Sequence, residues 1–386
     1  MSRVYLDNNA TTPPLPEVIE AVAGAMRSAW GNPSNESSSG EQAREEVERA
    51  RESVAALIGC DPRSVVFTSG GTEANNLAIM AGLDVRATGR SRFVTSGIEH
   101  ASVLSMLPKL ERSGIEIVTV GSDSSGRVRL DEFLAAIDER TAAVSLQWAN
   151  NETGVVQPVA EVAARCREMG VFFHTDGCQA VGKLAETFSD IDFDAFTLTA
   201  HKFHGPKGVG AVALRKPPNS SPILSGGDQE FGVRPGTENV AGIVGLGEAA
   251  RLRLQRLNRV LPQMAGLRDR FECAITRELP EIRVNGGDSD RVGNATNLLF
   301  PGVHGAAMVN NLDLHGIECS QSSACTRARP EPSHVLTAMG LSEEEAYSSV
   351  RFSFSELNTE EETDTAIATI IEVYRTLRAR TMALVG

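Results

Sequence analysis

The 386-residue sequence has no run near the ~18 apolar residues that a membrane span needs, and Met1 to Thr12 has no basic segment backed by an apolar one. A membrane helix and a secretory leader are therefore not expected, and the cytoplasm is the default address. None of the six cysteines forms a CxxC pair, and their spacing matches no zinc pattern, so no metal site is expected. The formal charge is -13, from 50 acidic against 37 basic residues, and no block of lysine and arginine interrupts it. Nucleic acid and anionic membrane are poor partners for such a surface, and the acidity reads as solubility. Internal repeats and low-complexity tracts are absent too. What is there is an ordinary globular composition, 41% hydrophobic and 23% charged, at a length that suits one large and one small domain.

Short apolar runs alternate with helical patterns. Strands are expected at 65–68, 92–95, 115–120, 143–148, 171–174, 195–199 and 209–214. Between them, 40–58 places Ala43, Val47, Ala50, Val54 and Leu57 on one helix face, with Gly59 as its C-cap. This alternation predicts an α/β fold with a mostly parallel sheet, whose ligands sit at the carboxyl ends of strands. A long amphipathic helix is expected over 245–279, kinked or restarted at Pro262. A strand at 295–300, helices at 305–314 and 342–347 and a closing turn and helix after Ser353 complete the chain. The expected division is a large domain of 15–255 and a small domain of 1–14 with 256–386. The N-terminal segment is assigned to the small domain because Asn8 to Thr12 is polar and site-like.

Five segments carry chemistry. Thr68-Ser69-Gly70-Gly71-Thr72-Glu73 runs from a strand through two glycines into a helix, which suits an anion at the helix N-terminus, with Thr72 capping the helix or bonding a phosphate oxygen. His174-Thr175-Asp176-Gly177-Cys178-Gln179 puts a carboxylate at the end of a buried strand, where it needs a cation such as a protonated pyridine nitrogen. Lys202 follows the apolar strand Phe196 to Leu198, and a desolvated lysine there can form a Schiff base. Lys207, between Pro206 and Gly208, is the solvated rival. Glu99-His100 follows a strand, and its imidazole could stack on a cofactor ring and move protons. Ser320 to Arg327 is polar, rich in small residues and expected to be a mobile loop, and Arg327 and Arg329 could lower the pKa of Cys325. Cys60, Cys166 and Cys273 read as buried, inert thiols.

Together with Tyr5 to Thr12, Gly31-Asn32-Pro33-Ser34, Asn150 to Gly154, Arg234 to Asn239, Pro332 to Leu336 and Val350 to Ser353, these segments resemble the cysteine desulfurase family. The likeness is to its NifS/IscS-like branch, within the class V aminotransferases. It covers nearly the whole chain and implies the fold type I architecture of PLP-dependent aminotransferases. A mostly parallel seven-stranded sheet would form the large domain, beside a smaller α+β domain. The implied cofactor is pyridoxal 5'-phosphate (PLP) and the implied substrate L-cysteine. Lys202 would hold PLP covalently, Asp176 would face its ring nitrogen and Gln179 its ring hydroxyl. Gly71, Thr72, Thr199, Ala200 and His201 would surround the phosphate. Thr237 would reach the phosphate of a neighbouring subunit, which implies a homodimer. Asn9, Asn151 and Arg351 would bind the substrate, Arg351 by a two-pronged contact with the carboxylate. His100 would stack on the ring, and Cys325 would take the sulfur as a persulfide and pass it to an acceptor protein such as an iron–sulfur scaffold.

The sequence departs from the family pattern at four places: Ser37, Ala200, Arg327 with Arg329, and Ser355-Glu356. None removes a chemical group that the resemblance calls for. Two rivals use the same residues: a selenocysteine lyase or aminotransferase on this scaffold, and an idle scaffold that binds partners. The presence of Lys202, Asp176 and Cys325 argues against the second.

Overall fold

Seven of the expected apolar runs assemble into one sheet. The computed structural model describes residues 3–83, 89–216, 223–321 and 331–385. Across the sheet the strands are Val65–Thr68, Gly210–Leu214, Ala195–Thr199, Phe172–Asp176, Thr141–Ser145, Arg92–Ser96 and Glu116–Val120. The last five pair in parallel, and Gly210–Leu214 runs antiparallel to both of its neighbours. The strand expected over 143–148 closes its regular ladder at Ser145. Beyond it, Leu146 N and Trp148 N still donate to His174 O at 3.2 Å and Asp176 O at 3.0 Å.

The helix Ser38–Ile58 starts at a Ser37 cap and stops at Gly59, whose φ of 72° is the left-handed turn a C-cap requires. Ser37 thus has a local job, accepting from Gly40 N. The long helix runs from Val240 to Glu278 without a break. A restart at Pro262, one of the two alternatives expected there, does not occur. Pro262 and Asn258 both lie on the exposed side, so water can satisfy the Asn258 carbonyl that loses its partner.

Two hydrophobic cores form. One packs the large sheet, with Trp148, Phe173, Phe193 and Phe196, against the helices beside it. The other joins Leu267, Phe271 and Ile275 of the long helix to Phe352, Phe354, Ile370 and Tyr374. Its sheet is antiparallel, ordered Ser320–Gln321, Ser349–Ser353, Ala295–Leu299 and Arg283–Val284. The N-terminal strand Val4–Tyr5 pairs in parallel with Ile317–Glu318. From there the chain crosses to the large sheet, where Thr12 N donates to His201 O at 2.8 Å. Among the described residues no helix is long and apolar enough to cross a membrane, and no group of three or more His, Cys, Asp or Glu could hold a metal.

One ion pair fixes the segment around residue 230. Arg51 and Glu230 are both buried and joined by two 2.9 Å hydrogen bonds, and Glu230 also accepts from Phe67 N at 2.7 Å. Arg234, four residues on, holds Glu73 at the start of the helix Gly71–Gly82. Removing one partner of such a pair strands the other charge. Arg51→Met is therefore expected to lower unfolding free energy by about 3–5 kcal/mol in urea titrations. A loss below about 1 kcal/mol would mean the pair does not hold this segment.

Candidate active site

The site gathers where the carboxyl ends of three strands of the large sheet meet the N-terminal segment. Phe172–Asp176 ends in Asp176, and Ala195–Thr199 leads into a short turn of 3-10 helix, Ala200–Lys202. Asp176 Oδ2 accepts from Asn75 Nδ2 at 2.7 Å and its Oδ1 from Cys178 N at 3.0 Å. Lys202 Nζ donates to Asn9 O at 2.6 Å and Ala10 O at 2.8 Å. Its partners are main-chain carbonyls and not a carboxylate. Burial, and then the nearby Arg351 cation, bring its pKa down to about 8, while Asp176 and Asp7 pull the other way. A share of the amine is thus neutral, and nucleophilic, near neutral pH. Lys207 is exposed, as expected of the rival lysine.

The glycine turn lies against the same place. The helix Gly71–Gly82 has no side-chain cap, so of the two tasks open to Thr72 it does not perform the capping one, and Gly70 at φ 153° opens the turn. The first N–H groups of such a helix have no partner within it. A Cβ on Gly71 would come within 2.8 Å of Cys178 Sγ and 3.7 Å of Thr199. Thr199 and Ala200 are buried here, and His201 Nδ1 is 3.2 Å from Thr11 Oγ1. Burial, with Lys202 next in order, pushes the His201 imidazole down to about 4, so it is neutral at working pH.

On the other flank His100 caps the helical turn Ala101–Leu104, with Nδ1 accepting from Ser102 N at 3.1 Å. A neutral ring with Nδ1 as acceptor carries its proton on Nε2. Burial lowers its pKa. Asn75 Nδ2 also donates to Ser102 Oγ at 2.8 Å, so His100, Ser102, Asn75 and Asp176 form one hydrogen-bonded chain.

Arg351 enters from the smaller sheet. Its Nη2 meets Asp7 Oδ1 at 2.7 Å and its Nη1 donates to Asn151 O at 3.1 Å, while its buried Nε has no partner. Asn151 thus contributes its carbonyl to this cluster. Asn9 is the hub. Its main-chain O receives Lys202 and Gln179, its Oδ1 receives Lys183 and Asn294, and its Nδ2 donates to Asn151 O. Thr237 is exposed, beyond the Arg234–Glu73 pair, and does not join this cluster. Cys325, with Arg327 and Arg329, lies outside the described residues. Of the loop expected from Ser320, the described residues Ser320–Gln321 form a strand paired with Arg351 and Val350 instead. Among the other cysteines, Cys166 is buried as expected and its thiol is pushed up, while Cys60 is only half-buried, with a thiol that burial still raises to about 12. Cys273 departs from expectation and is exposed.

The model of the aminotransferase class-V family matches residues 4–365. A cysteine desulfurase from Nostoc sp. is 42% identical over 379 residues, covering 98% of this chain and 94% of the relative. The chain belongs to the PLP-dependent cysteine desulfurases of the class V aminotransferase family. A cysteine desulfurase IscS from Dictyoglomus turgidum is 38% identical over 97% of this chain and 96% of its own. The solved structure of a NifS-like protein superposes with a TM-score of 0.90 at 33% identity, over 97% of this chain and all of that one. The fold type I architecture read from the sequence is therefore the fold of this desulfurase. Its residues suit PLP: a buried amine without a carboxylate partner, a buried carboxylate at the end of the neighbouring strand, and a glycine turn that a Cβ would fill.

Sequence reasoning did not single out Asn75, Ser102, Lys183 or the carboxyl of Glu99. The signal available was local: a polar side chain in the otherwise apolar inner face of the helix Gly71–Gly82, and an acid directly before His100. Glu99 is fully buried. Its Oε1 accepts from Ser96 Oγ at 2.6 Å and Gln147 N at 2.9 Å, and its Oε2 has no partner. Burial pushes its pKa up to about 8, with the Asp176 charge adding to it and the two hydrogen bonds opposing it. The unfolded chain releases this proton near the ordinary glutamate value. Stability therefore falls as pH rises from about 4.5 to about 8. Glu99→Gln removes that fall and leaves an Oε1 for both donors. We expect the variant to gain on the parent by on the order of a few kcal/mol between pH 5 and pH 8. A melting-temperature difference that is flat over that range would contradict the assignment.

Proposed function

We propose that the desulfurase carries the sulfur of L-cysteine on Cys325 as a persulfide, releases L-alanine and hands the sulfur to an acceptor protein. PLP, when bound, supplies an electron sink that stabilises negative charge at the substrate Cα. The observation that carries the reading is the desolvated Lys202 amine beside the Asp176 strand end, with Arg351 held nearby by Asp7 and Asn151 O.

Lys202 would hold the cofactor, and its amine, when free, would take the proton from the substrate Cα. Asp176 keeps the ring nitrogen protonated, held in place by Asn75 and Cys178 N. Gln179 faces the ring hydroxyl. Gly71, Thr72, Thr199, Ala200 and His201 cradle the phosphate, to which a neutral His201 presents a donor without added charge. His100 would lie against the ring and move protons through Nε2, since its Nδ1 accepts from Ser102 N. Asn9, Asn151 and Arg351 hold the substrate, with the free Nε of Arg351 giving the carboxylate a second prong. The Cys325 thiolate attacks the substrate sulfur, the carbon–sulfur bond breaks, and its electron pair stays on the alanine fragment, which is then protonated. No outside oxidant is needed.

The position of the neighbouring strand supports this role for Cys325. Ser320 pairs with Arg351, and five residues of chain span at most about 18 Å. We also propose the division into 15–255 and 1–14 with 256–386. The long helix supports it by giving Leu252 to one core and Leu267 to the other. Exposed Trp30 and Phe231 support a homodimer in which Thr237 completes the partner's site. An iron–sulfur scaffold is one acceptor that fits. The formal charge of -13 supports work without direct contact with nucleic acid or membrane, and the cytoplasm is the place we propose for it.

Cys325→Ala is expected to keep the yellow cofactor and lose desulfurase turnover, and mass spectrometry after adding cysteine is expected to find +32 Da (about one sulfur atom) on Cys325 of the parent. Full turnover by Cys325→Ala would reassign the sulfur step.

A further inference from the structure

A second buried lysine stands in the site without a task in the chemistry above. Lys183 is 6% exposed and lies four residues after Gln179. Its Nζ donates to Asn9 Oδ1 at 2.9 Å and to Gln179 Oε1. Gln179 Nε2 donates in turn to Asn9 O at 3.0 Å, the carbonyl that also receives Lys202 Nζ. Both lysines therefore converge on Asn9, one on the side-chain oxygen and one on the main-chain oxygen.

The two ends of an amide are not equivalent, because the oxygen only accepts and the NH2 only donates. With Oε1 taken by Lys183, a flipped Gln179 would set donor against donor. The NH2 end must therefore face away from Lys183. The charged or titratable groups around Lys183 are Lys202, Arg253, Arg351 and Cys178, and burial with the three cations drives its pKa well below the ordinary value. A neutral amine still offers two N–H groups, the number that Asn9 Oδ1 and Gln179 Oε1 take.

We propose that Lys183 is a positioning residue, which locks Gln179 with its N–H end toward the ring oxygen of the cofactor. This rests on the reading in which Gln179 faces that oxygen. A donor held there weakens the grip of the oxygen on the proton it shares with the Lys202 nitrogen. The Lys202–cofactor chromophore then loses that proton at lower pH than it would with the donor removed.

The test is an absorbance titration against pH of the holoenzyme and of the variants Gln179→Leu, Lys183→Met and the double variant. Each single variant is expected to raise the midpoint by about one pH unit or more, and the double variant no further than the larger single shift. An unshifted Gln179→Leu overturns the Gln179 assignment and this inference with it. A shifted Gln179→Leu beside an unshifted Lys183→Met overturns the role of Lys183 alone. If Lys183→Met does not fold, Lys183→Ala takes its place, since it also removes the N–H donor. A raised midpoint then supports the proposal, and a parental midpoint overturns it.

Discussion

A lysine amine held out of water, with only carbonyl oxygens to receive it, is the constraint on which this molecule turns. Lys202 rests on Asn9 O and Ala10 O, and the resulting pKa of about 8 leaves it poised between a cation and a nucleophile. Had a carboxylate taken the place of those carbonyls, the charged form would be favoured and the amine silenced. The carbonyls are supplied by residues far away in sequence. They arrive because Val4–Tyr5 pairs with Ile317–Glu318, Asn9 N donates to Ser353 Oγ, and Thr12 N donates to His201 O. The N-terminal segment is thus a clasp between the two sheets, and the site exists only while both are docked to it.

Charge around the amine is arranged so that few groups compete for it. Asp176 is occupied by Asn75 and by Cys178 N, and Asp7 is committed to Arg351. Glu99, next to His100 in the sequence, holds its proton up to about 8. His174, beneath Asp176, is wedged between Ser145 Oγ and Thr197 Oγ1, and burial takes its pKa down to about 4. Burial, rather than pairing, sets the protonation of most of these groups. The same low-dielectric layer that activates Lys202 therefore keeps an imidazole and a carboxyl neutral beside it.

Much of this was legible in the sequence because its logic is local. A strand that runs into Gly70-Gly71, an aspartate closing a buried strand and a lysine following another each show a strand end and a chemical group within a few residues. The strand runs were legible for the same reason, since parallel strands buried on both faces read as continuous apolar stretches. Long-range partners were not legible. Lys183 reads as one more charge after Ala180-Val181-Gly182, and only the fold brings it to Asn9. Asn75 looks like a surface residue of a helix until that helix is laid over Asp176. Pro262 suggested a kink or a new helix, yet it sits inside one continuous helix, where its exposed position lets water take the carbonyl it frees. Glu356, where the sequence departs from its relatives, lies buried among Arg253, Arg256 and Arg259. It joins the long helix to the end of the smaller sheet, a part that no local pattern assigns to it.

On this reading Lys202, and not the more deeply buried Lys183 or the exposed Lys207, is the amine that holds the cofactor. Reduction of the holoenzyme with borohydride fixes the cofactor to whichever lysine carries it, and peptide mapping by mass spectrometry reads the position. The account predicts a pyridoxyl group on the peptide containing Lys202 and on no other lysine. A label on Lys183 would contradict it.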